Sequence, residues 1–197
     1  MQVGQDFFCN AMKYLIVGLG NPGVEYELTR HNIGFLTLDR LAEHQGCTFR
    51  TERLADVADF RYKGRNVHLI KPNTFMNLSG KAVNYWLQTL KIAKEQMLVL
   101  TDDLALPFGA LRMRAKGSSA GHNGLKNIEE LTQGQNYARL RMGVGNDFPR
   151  GKQVDYVLSQ FLPEELDQLP ALMDRAGEMV LSFTTQGIAH TMSQYND

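Results

Sequence analysis

Apolar residues along this chain fall into short runs and helical stripes, separated by polar loops bounded by glycine. Tyr14-Leu15-Ile16-Val17-Gly18 is a β-rich run that reads as a buried central strand. From Asn32 to Gln45, Ile33, Phe35, Leu36, Leu38, Leu41 and Ala42 recur at the helical period, and Gly46 supplies the stop. Ala55 to Tyr62 and Asn66 to Ile70 are two β-like runs around Lys63-Gly64-Arg65, which predicts a hairpin. A second helix is expected over Leu78 to Leu90, a buried strand over Met97 to Thr101, and strands over Leu111 to Arg114 and Arg139 to Val144. A helix near Leu125 to Leu131 separates the last two, and the chain after Pro163 reads as helical almost to its end.

Hairpins mixed with strand–helix alternation predict an α/β fold. The expectation is a single domain over 12–197, a twisted mixed β-sheet flanked by α-helices, with no linker dividing it. Residues 1–11 precede Met12 and the first strand, lack the basic start and apolar core of a signal peptide, and read as an extension or disordered arm. Four loops fall just after predicted strands: Gly18 to Asn32, Lys71 to Asn77, Asp102 to Pro107 and Gly117 to Gly124. Open α/β sheets bind ligands beyond the carboxyl ends of their strands, so these loops are expected to share one cleft.

Composition changes this picture little. At 197 residues and 43% hydrophobic the chain suits one soluble domain, and no apolar run reaches the roughly 18–20 residues of a membrane span. Cys9 and Cys47 fit no metal or redox spacing, which favours a reducing, cytoplasmic setting. Formal net charge is zero, yet Arg112 to Lys152 holds eight Lys/Arg against three Asp/Glu, and Gln153 to Asp197 holds one against seven. A basic middle and an acidic tail suggest one face built for a polyanion; a chance imbalance on a solvated surface is the competing account.

Gly18-Leu19-Gly20-Asn21-Pro22-Gly23 matches the dinucleotide-binding string G-x-G-x-x-G and follows a strand, so an NAD oxidoreductase is the alternative reading. That fingerprint requires a helix opening at the loop and a second strand ending in an acid. Here the helical period begins only near Ile33, the acid at the right distance, Asp39, lies inside that helix, and Pro22 removes a backbone N–H.

Of five histidines, His44, His68 and His190 sit in helical or strand patterns, whereas His31 and His122 sit in polar, Gly-bounded loops beside an asparagine. Asp102-Asp103 follows a buried strand, where a carboxylate can be held rigidly. A histidine with a fixed carboxylate is the minimum machinery for general-base catalysis. No Ser sits in a G-x-S-x-G elbow and neither Cys has a catalytic setting, so water is the favoured nucleophile. No His/Cys/Asp/Glu group has metal spacing. Asn21, Asn77 and Asn123 stand in three separate strand-end loops, where neutral amides could donate to an oxyanion or hold a peptide backbone. For one Asn beside Gly, a turn role is the commoner explanation.

Four ordered blocks carry a resemblance. They are Gly18 to Gly23 continuing through Tyr26 to Thr29-Arg30-His31-Asn32-Ile33-Gly34; Lys71-Pro72-Asn73-Thr74-Phe75-Met76-Asn77-Leu78-Ser79-Gly80; Asp102-Asp103-Leu104 with Leu106-Pro107; and Gly121-His122-Asn123-Gly124-Leu125-Lys126. From Lys13 to near its C-terminus the chain resembles the bacterial-type peptidyl-tRNA hydrolases. The resemblance implies cleavage of the ester of peptidyl-tRNA without metal or organic cofactor, by a typically monomeric enzyme that binds tRNA and no membrane. It implies His31 as the base, Asp102 as its carboxylate and Asn21 as the selector for blocked substrates. Asn77 and Asn123 are then the amides near the scissile ester, with Met76 and His122 lining the cleft. Tyr26 and Phe75 would contact the tRNA end or the peptide, and Arg112, Arg114 and Arg141 would grip tRNA phosphates. The chain departs from the family at Ala105, often another acid, at Thr101, often His, and at Ser118-Ser119-Ala120, a stretch richer in Gly in many relatives. An RNA-binding module without activity is a third reading, against which the intact His31, Asp102 and three asparagines argue.

Overall fold

The computed structural model describes residues 11–196. The expected extension, 1–11, lies outside the described residues except for Ala11. Seven strands form one sheet: β1 (Lys13–Gly18), β2 (Arg50–Glu52), β3 (Ala55–Tyr62), β4 (Arg65–Pro72), β5 (Met97–Asp103), β6 (Leu111–Arg114) and β7 (Ala138–Gly143). The helices are α1 (Ile33–Gln45), α2 (Ser79–Leu90), α3 (Asn123–Leu131), α4 (Gln153–Val157), α5 (Pro163–Leu166), α6 (Leu169–Gln186) and α7 (Ile188–Tyr195). The fold is the single α/β domain with a mixed sheet that the hydrophobic pattern predicts.

Strand order is β2-β3-β4-β1-β5-β7-β6. β1 runs parallel to both β4 and β5, and β5 runs parallel to β7. β2, β3 and β6 are antiparallel to their neighbours. Lys63 and Gly64 both take positive φ, 45° and 78°, the backbone of a two-residue hairpin turn whose twist matches the strands. Ile16, Leu98, Leu100, Leu140 and Met142 face one side of the sheet and pack with α1 and α6 residues. Leu15, Val17 and Val99 face the other and pack with Val83, Trp86, Leu125 and Ile128 of α2 and α3. The alternation of partners along β1 and β5 follows from the strand period of two.

After β1 the chain builds the β4 side of the sheet, then crosses to add β5 on the other side of β1. The crevice beyond the carboxyl ends of β1 and β5 is therefore the topological switch point. Packing there is tight. A Cβ at Gly18 would lie 2.5 Å from the Gly34 carbonyl oxygen, and one at Gly34 would lie 2.5 Å from the Leu19 amide nitrogen. These glycines let α1 press onto β1, a role different from cradling a pyrophosphate. The loop after β1 opens no helix: it makes single 3-10 turns at Val24–Tyr26 and Arg30–Asn32 before α1 begins. Asp39, the acid the dinucleotide reading needs, is in α1 and pairs with Lys71.

Two elements lack any signal in the hydrophobic pattern. β2 is three exposed residues, and α4 has no buried residue. β5 also continues through Asp102 and Asp103, which are thus the last two residues of the strand instead of the first two after it. No described helix is long and apolar enough to cross a membrane.

Candidate active site

All four strand-end loops reach one cleft of about 870 Å³. Asn21, His31, Phe75, Met76, Asn77, Asp102, His122, Asn123, Arg114 and Arg141 line it. Tyr26 does not line it but meets the Phe75 ring edge to face, with centroids 6.5 Å apart. Phe75 is 55% exposed, so the pair forms an aromatic ledge at the rim.

Asp102 is the centre of the polar network. It is buried at the end of a strand flanked on both sides, and its carboxylate meets two imidazoles. His31 Nδ1 lies 2.9 and 3.0 Å from the two oxygens, and His122 Nε2 lies 2.9 Å from Oδ1. Burial alone would raise the Asp102 pKa, but the charge interactions and hydrogen bonds of His31 and His122 outweigh it, holding the group well below the usual carboxylate range. An ionised carboxylate only accepts, so both facing ring nitrogens carry protons. His31 in its neutral form is then left with an unprotonated Nε2, the form a base requires. Burial pulls the His31 pKa down, while the Asp102 charge and hydrogen bond push it up and prevail, leaving it above the ordinary imidazole value.

His122 has its tautomer set from its other side as well. It is the N-cap of α3, and its Nδ1 accepts from the backbone N–H of Gly124 at 3.1 Å and of Leu125 at 3.3 Å. With Nδ1 accepting and Nε2 donating, the ring is neutral. His31, Asp102 and His122 offer three donor atoms within 4.8 Å of one another, a cluster that the sequence spacing did not reveal. A metal on His122 Nε2 would have to displace that proton, leaving an imidazolate or breaking the helix cap. The arrangement suits proton handling better than metal ligation.

Asn21 is equally constrained. Its backbone N–H donates to Asn32 Oδ1 and its backbone oxygen accepts from Asn32 Nδ2, both at 2.9 Å. Its side-chain Oδ1 accepts the Met76 N–H at 2.8 Å. The backbone donor dictates the amide orientation, so the Nδ2 hydrogens are the atoms left unengaged, while Oδ1 already holds one hydrogen bond. Asn77 lies in the 3-10 turn Met76–Leu78 and Asn123 is the first residue of α3; both are exposed cleft residues.

The basic residues divide. Arg112 pairs in register with Arg141, and Arg114 with Arg139, which puts all four on one face of the sheet. They are not equivalent. Arg141 donates to Asp103, and Arg139 is buried against Glu129 at 3.7 Å with a bond to the Ser118 carbonyl. Arg112 borders a separate, smaller cavity with Arg175 and Tyr195. Exposed Arg114 lines the cleft beside exposed Lys116. Two of the four arginines are thus engaged in internal ion pairs, Arg141 with Asp103 and Arg139 with Glu129.

Sequence reasoning missed Lys116 and the wall supplied by Val154, Val157 and Leu158 in the cleft, and missed Asn32 and Arg30 as buried supports behind it. Arg30 and Asn32 flank His31 directly, and two polar side chains beside a candidate base were the available signal.

Residues 15–197 match the family model described as peptidyl-tRNA hydrolase. The chain belongs to the peptidyl-tRNA hydrolase family. It is 58% identical to the peptidyl-tRNA hydrolase of Cytophaga hutchinsonii over 185 residues, which is 94% of this chain and 98% of the relative. It is 56% identical to that of Parabacteroides distasonis, over 94% of this chain and the whole of the relative. The crystal structure of peptidyl-tRNA hydrolase from Acinetobacter baumannii superposes with a TM-score of 0.88 at 33% identity, covering 94% of this chain and 95% of that one. With membership in this family the chain is an ester hydrolase, and the NAD reading of its glycine string falls.

Proposed function

We propose that this enzyme hydrolyses the ester between a peptide and the terminal ribose of tRNA, with water activated by His31 and Asp102. The observation that carries the mechanism is the Asp102 carboxylate held by two imidazole N–H groups, which orients a free His31 Nε2 toward the cleft. His31 Nε2 takes a proton from water as its oxygen attacks the ester carbonyl carbon. Asp102 stabilises the imidazolium formed, and the amides of Asn77 and Asn123 are the donors available to the oxyanion. Collapse breaks the bond to the ribose oxygen, which recovers the proton from His31. The products are a peptide with a free carboxyl group and a tRNA with a free hydroxyl. No metal or organic cofactor enters these steps.

Substrate selection follows from the Asn21 orientation. An amide that presents its Nδ2 hydrogens suits the carbonyl oxygen of a blocked, peptidyl substrate and opposes the α-ammonium of a free aminoacyl-tRNA, which is also a donor. Phe75, backed by Tyr26, offers a stacking surface for a base or peptide side chain, with Met76 and His122 forming the cleft floor. Arg114 and Lys116 supply charge for RNA phosphates. The enzyme is read as a cytoplasmic monomer that recycles tRNA from aborted translation.

The decisive assay is release of tRNA from an N-blocked aminoacyl-tRNA. His31→Ala should lower turnover by about 10²–10⁴ while changing substrate affinity far less. Near-normal turnover in that variant would sink the mechanism.

A further inference from the structure

We propose that Arg30 is a positioning residue for this reaction: it fixes the spacing between His31 and the apolar wall of the cleft without touching substrate. The proposal rests on the reading that the cleft receives a peptidyl ester. That wall is carried by α4 and the residue after it, through Val154, Val157 and Leu158. Short helices normally take their place by burying an apolar face, but α4 buries no residue and Val154 is 64% exposed. Its link to the core is Tyr156, half-buried against the main cluster and 4.8 Å from the Phe148 ring, so much of the hold falls to whatever fixes that side chain.

Arg30, 3% exposed and adjacent to His31, supplies that hold. Its guanidinium lies over the Tyr156 ring of α4, 4.5 Å from the centroid, and 5.5 Å from that of Phe161. The same group donates to Ser159 Oγ at 2.7 Å, to the Gln160 carbonyl, and to Glu165 Oε2 at 2.7 Å. Around it the two segments pair as a short antiparallel ladder, with Arg30 N–H donating to the Ser159 carbonyl and Phe161 N–H to that of Leu28. Tyr156 Oη donates in turn to the Val144 carbonyl, just past β7. Only a planar fork on a long stem can stack on two rings and reach three acceptors at once, so lysine is no substitute. The guanidinium is buried behind the cleft surface, and its effect on substrate must pass through α4.

Steady-state kinetics on two substrates separate positioning from mere stability. One tRNA carries N-acetylglycine and the other a bulky blocked apolar group, N-acetylphenylalanine. Arg30→Met should raise KM for the bulky substrate by roughly tenfold more than for the small one, the scale of a misplaced apolar pocket. The acid limb of the pH profile should stay in place, because His31 and Asp102 are untouched. Glu165→Gln removes one charged acceptor of the fork and should give the same pattern more weakly; it carries the test if Arg30→Met does not fold. Arg30→Lys should fail to restore the wild-type KM ratio. Equal losses on both substrates, or a fall in kcat that only tracks the folded fraction at an unchanged KM, would overturn the proposal. Wild-type protein cleaving neither substrate would remove the functional reading and this inference with it.

Discussion

His31 and His122 lie with ring centroids 4.9 Å apart and direct their N–H groups at the same carboxylate, that of Asp102. His31, which lines the cleft, uses only Nδ1 in this contact and leaves Nε2 over; His122 has no ring nitrogen to spare, because Nε2 meets Asp102 and Nδ1 caps α3. One histidine is thereby available as a base and the other is committed to support.

This division sets the pH dependence. The base must be neutral, and the His31 pKa is raised, so kcat/KM should fall on the acid side through a pKa above that of a free imidazole. In Asp102→Asn the charge that raises His31 is gone while the burial that lowers it remains, so the limb should move to lower pH. Turnover should drop as well, since an amide can donate to Nδ1 and favour the wrong tautomer. A pH–rate profile of the two proteins checks this; an unmoved limb would mean that Asp102 is not the partner of the base.

His122→Asn should move the same limb the other way. Asparagine keeps an N-cap acceptor, so α3 should lose little stability. What disappears is one N–H that spreads the Asp102 charge, leaving more of that charge to act on His31. The acid limb should rise, and the melting temperature should change little. A limb moving to lower pH would contradict the neutral donor role of His122.

Asn21→Asp should blunt the discrimination between blocked and free amino termini. Met76 N–H would still claim one oxygen. The atom offered to the ligand changes from a donor to an anionic acceptor, which attracts the α-ammonium of an aminoacyl-tRNA. Cleavage rates of N-acetylaminoacyl-tRNA and aminoacyl-tRNA give the ratio directly. An unchanged ratio would place the selector elsewhere.

The central strands and long helices were legible because burial imposes its period on the residues: Leu15 to Val17, Leu98 to Leu100 and the stripe of α1 are each read from one line of letters. The loops were legible for a related reason, since strand ends in an open sheet share one edge. That brought His31 and Asp102 together across 71 positions. α4 and β2 were not legible because they bury nothing that could leave a pattern. Side-chain pairing was also hidden. Nothing local announces that Arg141 meets Asp103, or that Arg30 reaches Glu165 across 135 positions.

That hidden pairing separates the cations expected to meet RNA phosphates. Arg114 and Arg141 both line the cleft, and charge alone would treat them alike. Arg141, however, already donates to Asp103, whose other oxygen accepts the Ala105 N–H at 2.8 Å. Arg114 is exposed and has no ion-pair partner among the described residues. A phosphate contact made by Arg114 should lower the log–log salt slope of tRNA binding by roughly 0.7–0.9 when the residue is changed to Ala, because one fewer counterion is released. KM for full tRNA substrates should rise, most at low salt, whereas a blocked aminoacyl ester on a short nucleotide should hardly notice. Arg141→Ala should act differently. It leaves Asp103 as an uncompensated carboxylate next to Asp102, so the minimal substrate should suffer along with the full one, and the salt slope should change less. Binding titrations across a salt series, paired with kinetics on both substrates, separate the two residues. Identical behaviour of Arg114→Ala and Arg141→Ala would mean that the Asp103 pair does not persist in solution and that both arginines contact phosphates alike.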